Sequence, residues 1–354
     1  MTNETLALYS NYSIYSAIVV LTLAMLAFAV DLAGTTTRRK QATAPVEEKV
    51  LVAAGAGGPG EPTGPDTAER SAVGATGGPG AGASGAAAPV KRQWAGMGMS
   101  LTWLALLLMM ACVALRGLSV DRPPLGNMYE FANVGATFVL LAFCLYSLRS
   151  DARWLGLFVT APALLTLGLS VAVFYTQASQ LLPSLRSFWL VIHVTVATLS
   201  VALFTIAFSV TILYLVQAWL EKLATGSGDV AGAVRGNTLS GLKASVHELL
   251  PSSRQLDRTA YGLHIVAFPL WTFTLIAGAI WAEQAWGTYW GWDPKEVWTF
   301  VIWIVYAAYL HARATSGWNE RKAAYIALAG FACILINYMV VNVYFVGMHS
   351  YSGM

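Results

Sequence analysis

Between Trp286 and Glu296 the chain reads WGTYWGWDPKE. Apolar runs flank this stretch on both sides. Indole favours the headgroup zone of a bilayer, so one or two tryptophans at the end of a membrane helix are ordinary. Trp286, Trp290 and Trp292 on one short loop, with Asp293, Lys295 and Glu296 beside them, exceed what an interfacial belt needs. The stretch therefore says two things. The chain around it lies in a membrane, and the loop carries a site.

The rest of the sequence agrees with the first statement. Of 354 residues, 56% are apolar and only 11% charged, a composition of polytopic membrane proteins rather than soluble ones. A helical span needs roughly 20 apolar residues. About eight such runs occur, near 13–33, 96–118, 129–148, 154–174, 190–218, 259–282, 298–313 and 323–346. The seventh is short, and its start overlaps the Trp-rich stretch. The first run follows Glu4, has no basic residue before it and no clear small-residue cleavage site after it, so it reads as a permanent helix rather than a signal peptide.

Charge distribution orients the bundle. With the N-terminus outside, seventeen of the 21 Lys and Arg residues fall on the inner side, leaving only Arg116, Arg122, Arg186 and Lys295 outside. The positive-inside rule then places the Trp-rich loop on the outer face. The expected fold is all-α, a polytopic bundle of about eight transmembrane helices with both termini on the outer face.

Three regions differ in composition. Residues 1–33 hold the first helix. Residues 34–95 are rich in Gly, Ala and Pro and nearly free of aromatics, and cannot bury enough apolar area to offset their ordering entropy; they are expected to form a disordered cytoplasmic linker. Residues 96–354 form the remaining transmembrane domain, with the outer loop at 281–298. A second inner loop, about 220–257, is expected to be mobile, with a short amphipathic helix around Ser245 to Leu250. No fixed-period repeat is visible. Cys112, Cys144 and Cys333 lie inside apolar runs, far apart in sequence, and read as buried free thiols. The chain has no C-x-x-C-H and carries no thioether-bound haem of its own.

The spacing W-G-x-x-W-x-W-D-x-K-E resembles the Trp-rich WWD signature of haem-handling membrane proteins. With its flanks, GAIWAEQAWGTYWGWDPKEVW and then YLHAR, it resembles the CcsA/ResC family of system II cytochrome c biogenesis in particular, and weaker similarity extends over the chain after about residue 96. The outer segment RPPLGNMYEFANVGA, from Arg122 to Ala136, resembles the P-x-x-N-x-Y-E element of that family. Pro123 and Pro124 stop a helix there and Asn127 can cap the next. For Tyr129 and Glu130 a plain helix start and a haem contact both remain open.

Five histidines separate by depth. His193 lies at the outer end of the fifth helix and His349 just past the outer end of the eighth, on the same face as the Trp-rich loop. Imidazole ligates haem iron through a ring nitrogen. The resemblance implies that these two match the external axial ligands. His311 lies fourteen residues past Val297, about 21 Å inward at about 1.5 Å per residue. An ionisable residue at that depth is a functional candidate, and the resemblance implies an intramembrane haem ligand. His264, about 7.5 Å from the inner face by the same rise, is at a similar depth and could assist or replace that ligand. His247 has no assigned role.

The resemblance implies a membrane subunit of cytochrome c synthase. It would carry haem b, a non-covalently held substrate, to the outer face and present it for thioether attachment to C-x-x-C-H apocytochromes. Trp286, Trp290 and Trp292 would offer ring faces to the porphyrin, and Lys295 would pair with a propionate. Asp293, repelled by propionates, would instead orient Lys295 or cap the seventh helix, with Pro294 at its first position. No catalytic nucleophile is required, since positioning suffices. Implied partners are a CcsB/ResB-type membrane subunit, the apocytochrome and a thiol-reducing system, in the plasma membrane, with no nucleic acid. A haem exporter without ligase activity and a bis-histidine cytochrome b are the alternatives. The first would use the same ligands. The second usually pairs its histidines deep in a bundle.

Overall fold

The structure, a computed structural model, describes residues 3–42, 92–181, 186–226, 243, 246–315 and 317–349. Most of the linker expected at 34–95, and Ser245 of the expected amphipathic helix, lie outside the described residues. The first helix runs on through the start of that linker to Ala42, and the second begins inside its end, at Gln93.

Helices follow one another as α1 (Glu4–Ala42), α2 (Gln93–Val120), α3 (Met128–Ser147), α4 (Gly156–Ala172), α5 (Phe188–Gly226), α6 (Ser253–Trp286), α7 (Pro294–Ala314) and α8 (Glu320–Leu335). A 3₁₀ turn, Arg153–Leu155, leads into α4, and α8 continues as a π-helical run, Ile336–Val341. No strand occurs among the described residues. Counting α8 with its continuation, eight helices among the described residues are long and apolar enough to cross a membrane. Their outward faces are apolar as well: in α6 Ile265, Val266, Phe273 and Ile276 are exposed, as lipid contact requires.

The helix ends follow from local chemistry. Asn127 caps α3, its side chain accepting from the Glu130 N–H. Asp293 and Glu296 form a reciprocal capping box at the start of α7, with Pro294 at its first position, where a missing N–H costs nothing. The seventh span thus takes in the end of the Trp-rich stretch and reaches 21 residues. At the other end of that stretch, α6 does not stop near 282. It runs on to Trp286 and closes with Gly287 at φ 73°, whose N–H bonds back to the Glu283 carbonyl. A residue with a Cβ resists that left-handed conformation, so glycine makes the stop.

Packing divides the bundle. α1 lies along α2 and against α4, α5 lies along α6, α7 lies along α8, and α3 joins the halves by packing on both α4 and α5. Because successive spans are antiparallel, one end of the bundle gathers the start of α1, the α2–α3 and α4–α5 connections, the Trp-rich loop and the segment after α8. At this end a buried carboxylate, Glu130, binds two guanidiniums, Arg116 at 3.1 Å and Arg122 at 2.9 Å. These reach on to the carbonyls of Thr176 and Ser179 and so tie down the α4–α5 connection. Glu130 is therefore a fixed structural ion, and Tyr129 is buried against Arg116, 5.2 Å from its ring centroid. At the opposite end Arg313 of α7 grips Asp257 of α6 through two hydrogen bonds, 3.1 and 2.7 Å.

Candidate functional site

A cavity of about 470 Å³ opens at the Trp-rich end of the bundle. This lies within the range of cofactor and ligand pockets, roughly 300–1,000 Å³. Its walls come from α3, α4, α5, α6, α7 and the α8 continuation, and are mostly apolar. On α5 the lining runs from His193 to Phe208, fifteen residues or about 22 Å of helix. The cavity is therefore a deep slot entering the membrane zone.

His193 and His349 both line this cavity, although they come from α5 and from beyond α8. Each is oriented by an oxygen. His193 Nδ1 lies 2.9 Å from the Thr274 carbonyl of α6. A carbonyl can only accept, so Nδ1 carries the proton and the lone pair sits on Nε2. His349 Nδ1 lies 3.0 Å from Asp293 Oδ1, and the same reasoning puts the lone pair of the neutral ring on Nε2. This is the outer-shell arrangement that fixes tautomer and ring direction in metal-ligating histidines. Close packing holds His193 further: a Cβ at Gly278 would lie 2.7 Å from its Cε1. Glycine is what lets α6 approach the ring.

Asp293 ties several strands of the site together. Its carboxylate accepts from the Lys295 N–H at 2.9 Å, the Met348 N–H at 2.6 Å and the His349 ring. Burial alone would raise its pKa. The hydrogen bond to His349 and those from the two backbone amides outweigh burial and hold the carboxyl below its ordinary range. Gly347 is needed beside it, since a Cβ there would collide with Oδ2. Asp293 does not line the cavity. It acts on the cavity through His349.

The tryptophans divide into different tasks. Trp290 lines the cavity. Trp286, the last residue of α6, packs edge-on against the His349 ring with centroids 4.9 Å apart, and so steadies an imidazole rather than facing the slot. Trp292 is 76% exposed, adopts a left-handed φ of 59° and touches Trp290 edge-on at 5.8 Å. Of the three, only Trp290 is part of the wall.

Lys295 also lines the cavity. His311 does not. It lies three residues before the end of α7 and is exposed on the bundle surface. His264 is 1% exposed, bonded through Nδ1 to the Ala260 carbonyl at 2.7 Å. It is closed in by Phe204, Tyr306 and Tyr309, with centroids at 5.9, 5.5 and 4.5 Å. It faces neither the cavity nor the surface that carries His311.

Several lining residues with polar or aromatic side chains were not singled out from sequence, among them Trp281, Tyr289, Asn337 and Asn342. Trp281 is fully buried between His193 and Trp286, and its indole N–H has no partner among the described residues. The two asparagines were findable, because polar side chains inside an apolar span mark function. These features fit haem as a ligand: two imidazoles lining one apolar slot with Nδ1 held by oxygens, an indole N–H in its wall with no partner among the described residues, and a lysine beside them.

Fold and site together define a multi-pass helical membrane protein with an imidazole-bearing cavity at one end. A family model described as cytochrome C assembly protein matches residues 124–349, the span that holds every element of this cavity. The chain is 37% identical over 273 residues to the cytochrome c biogenesis protein CcsA of Synechococcus sp. (strain WH7803), covering 71% of this chain and 84% of the relative. It is 32% identical over 297 residues to CcsA of Picosynechococcus sp. (72% and 88%) and 34% identical over 287 residues to CcsA of Synechocystis sp. (70% and 85%). The chain belongs to the CcsA family of cytochrome c assembly proteins.

Proposed function

We propose that this protein is the haem-presenting membrane subunit of a cytochrome c synthase. The reading rests on one observation: His193 and His349, remote in sequence, line the same cavity with their Nδ1 protons committed to oxygen acceptors. In this reading both imidazoles grip haem iron, and Trp290, Trp281 and Tyr289 face the porphyrin. Haem supplies the reactive vinyl groups, to which two cysteine thiols of a C-x-x-C-H segment add. The chain contributes ligation and orientation, and the apolar lining limits water. Trp286 and Asp293 support the site through His349, and Trp292 serves from the rim beside Trp290.

The orientation follows from charge: the Trp-rich end faces outward, because the basic residues gather at the other end. His311, exposed near the inner end of α7, is then available to take haem together with a neighbouring subunit of the CcsB type. That subunit would also present the apocytochrome. The purified protein tests the proposal, with a partner subunit and a C-x-x-C-H acceptor co-expressed. A low-spin bis-imidazole spectrum and covalent haem on the acceptor are expected. A low-spin spectrum without covalent product would reduce the role to carrier or electron-transfer protein. Absence of low-spin haem would end the reading.

A further inference from the structure

Lys295 stands in the first turn of α7 with its ammonium among groups from the far end of the chain. Nζ donates to the Asn337 carbonyl at 3.2 Å and to Asn342 Oδ1 at 2.7 Å. Asn337 lies in the π run Ile336–Val341 that continues α8, and Asn342 directly follows it. Such π turns concentrate at functional sites. Both partners are also neutral. The nearby carboxylates are spent elsewhere, Asp293 on His349 and two amides, and Glu296 on the N–H groups of Gly291 and Asp293. Among the described residues no carboxylate lies within ion-pairing distance of Nζ.

An ammonium has three N–H donors, and two are accounted for. A half-buried ammonium with a donor unused can take an anion as its third partner. Lys295, Asn337 and Asn342 all line the cavity, so the cavity is where that anion can come from. Asn337 supplies a second, independent sign. It is 5% exposed, and its Oδ1 has no hydrogen-bond partner among the described residues. Its amide can turn about the terminal torsion to offer N–H₂ to a carboxylate oxygen.

We propose that Lys295, Asn337 and Asn342 form a carboxylate-anchoring site, and that it holds one acidic edge of the porphyrin and so fixes rotation of the disc about its iron axis. This rests on the haem reading above. Two axial imidazoles alone leave the disc free to turn in its own plane. The acid groups sit on one edge of the ring and the vinyl groups elsewhere, so anchoring that edge sets where the vinyls face an incoming pair of thiols.

The test compares iron protoporphyrin with its dimethyl ester, which keeps the iron and vinyls but lacks the acids. The wild-type protein should bind the free acid at least about ten-fold more tightly, consistent with a charge-assisted contact. Lys295→Gln should bind both forms alike, at the affinity the wild type shows for the ester. Lys295→Arg should keep the preference, and Asn337→Leu should weaken it several-fold. The anchor is overturned if the wild type binds acid and ester equally, or if Lys295→Gln retains the ten-fold preference. In either case a persisting low-spin spectrum leaves the haem reading standing. Failure of the wild type to bind either porphyrin in low-spin form would remove both.

Discussion

Asp293 joins two ends of the site: one carboxylate caps α7 through the Lys295 N–H and, at 3.0 Å, holds the Nδ1 of His349. The capping residue lies 56 residues before that histidine. The segment after α8 is thereby folded back onto the Trp-rich loop, and Met348 N–H on Oδ2 and Trp286 against the ring complete the clasp. A residue readable as an ordinary N-cap is also the support of a candidate ligand.

The two tasks can be separated. Asn is as good an N-cap as Asp, so Asp293→Asn should leave α7 intact while weakening the hold on His349. Haem affinity is expected to fall about 10- to 100-fold, as for lost outer-shell partners. Asp293→Ala should add a loss of about 1 kcal/mol in stability from the missing cap. Haem titration together with thermal unfolding in detergent resolves the pair. Equal haem affinity in wild type and Asp293→Asn would show that the carboxylate only caps.

Gly278 gives a steric test of the other candidate ligand, His193. A Cβ there would come within 2.7 Å of His193 Cε1, closer than side chains tolerate, so Gly278→Ala must displace the imidazole. Ala favours a helix over Gly by about 1 kcal/mol, so the helix itself should not suffer. The expected result is a protein with undiminished helicity by circular dichroism and a haem spectrum shifted from low spin toward high spin. An unchanged spectrum would mean that His193 does not bind the iron.

Much of this was legible in the sequence, for identifiable reasons. Span number, the Asn127 and Asp293 caps and the shared end of His193 and His349 follow from hydropathy, capping chemistry and the alternation of antiparallel helices. The division of labour among the tryptophans did not follow. Trp286 was expected on a loop, but α6 runs until Gly287 stops it, and that extra helix turns Trp286 from the slot to His349. Depth also proved a poor guide to facing. His264 and His311 are similarly deep, yet one is sealed among rings and the other is exposed, because facing depends on which neighbours each helix meets. The π run was invisible, since no residue in INYMVV signals a change of register.

The Arg116–Glu130–Arg122 cluster should behave as a structural element. All three side chains are at most 9% exposed. Breaking a buried ion pair by removing one partner costs about 3–5 kcal/mol. Glu130→Ala leaves two guanidiniums facing each other and frees the loop that Thr176 and Ser179 anchor. Unfolding measurements in detergent should show a loss of at least that order. Arg122→Ala, which leaves Arg116 paired with Glu130, should cost less. If Glu130→Ala matches wild type in stability but loses haem, the cluster is a ligand site instead.

His264 and His311 should part company under substitution. His264 is buried among Phe204, Tyr306 and Tyr309, with Nδ1 on its own helix. His264→Phe keeps an aromatic ring in that nest and should leave both the haem content and the outer-site spectrum unchanged, at a cost within the 1–3 kcal/mol typical of overpacking. His311 presents its imidazole at the bundle surface near the end of α7 remote from the Trp-rich loop. Under the proposed function, His311→Ala should leave the spectrum of reconstituted haem intact, yet lower the haem that co-purifies when the protein is co-expressed with a CcsB-type subunit. Normal haem loading of His311→Ala would exclude that histidine from haem acquisition, and loss of haem in His264→Phe would show that His264 takes part in it.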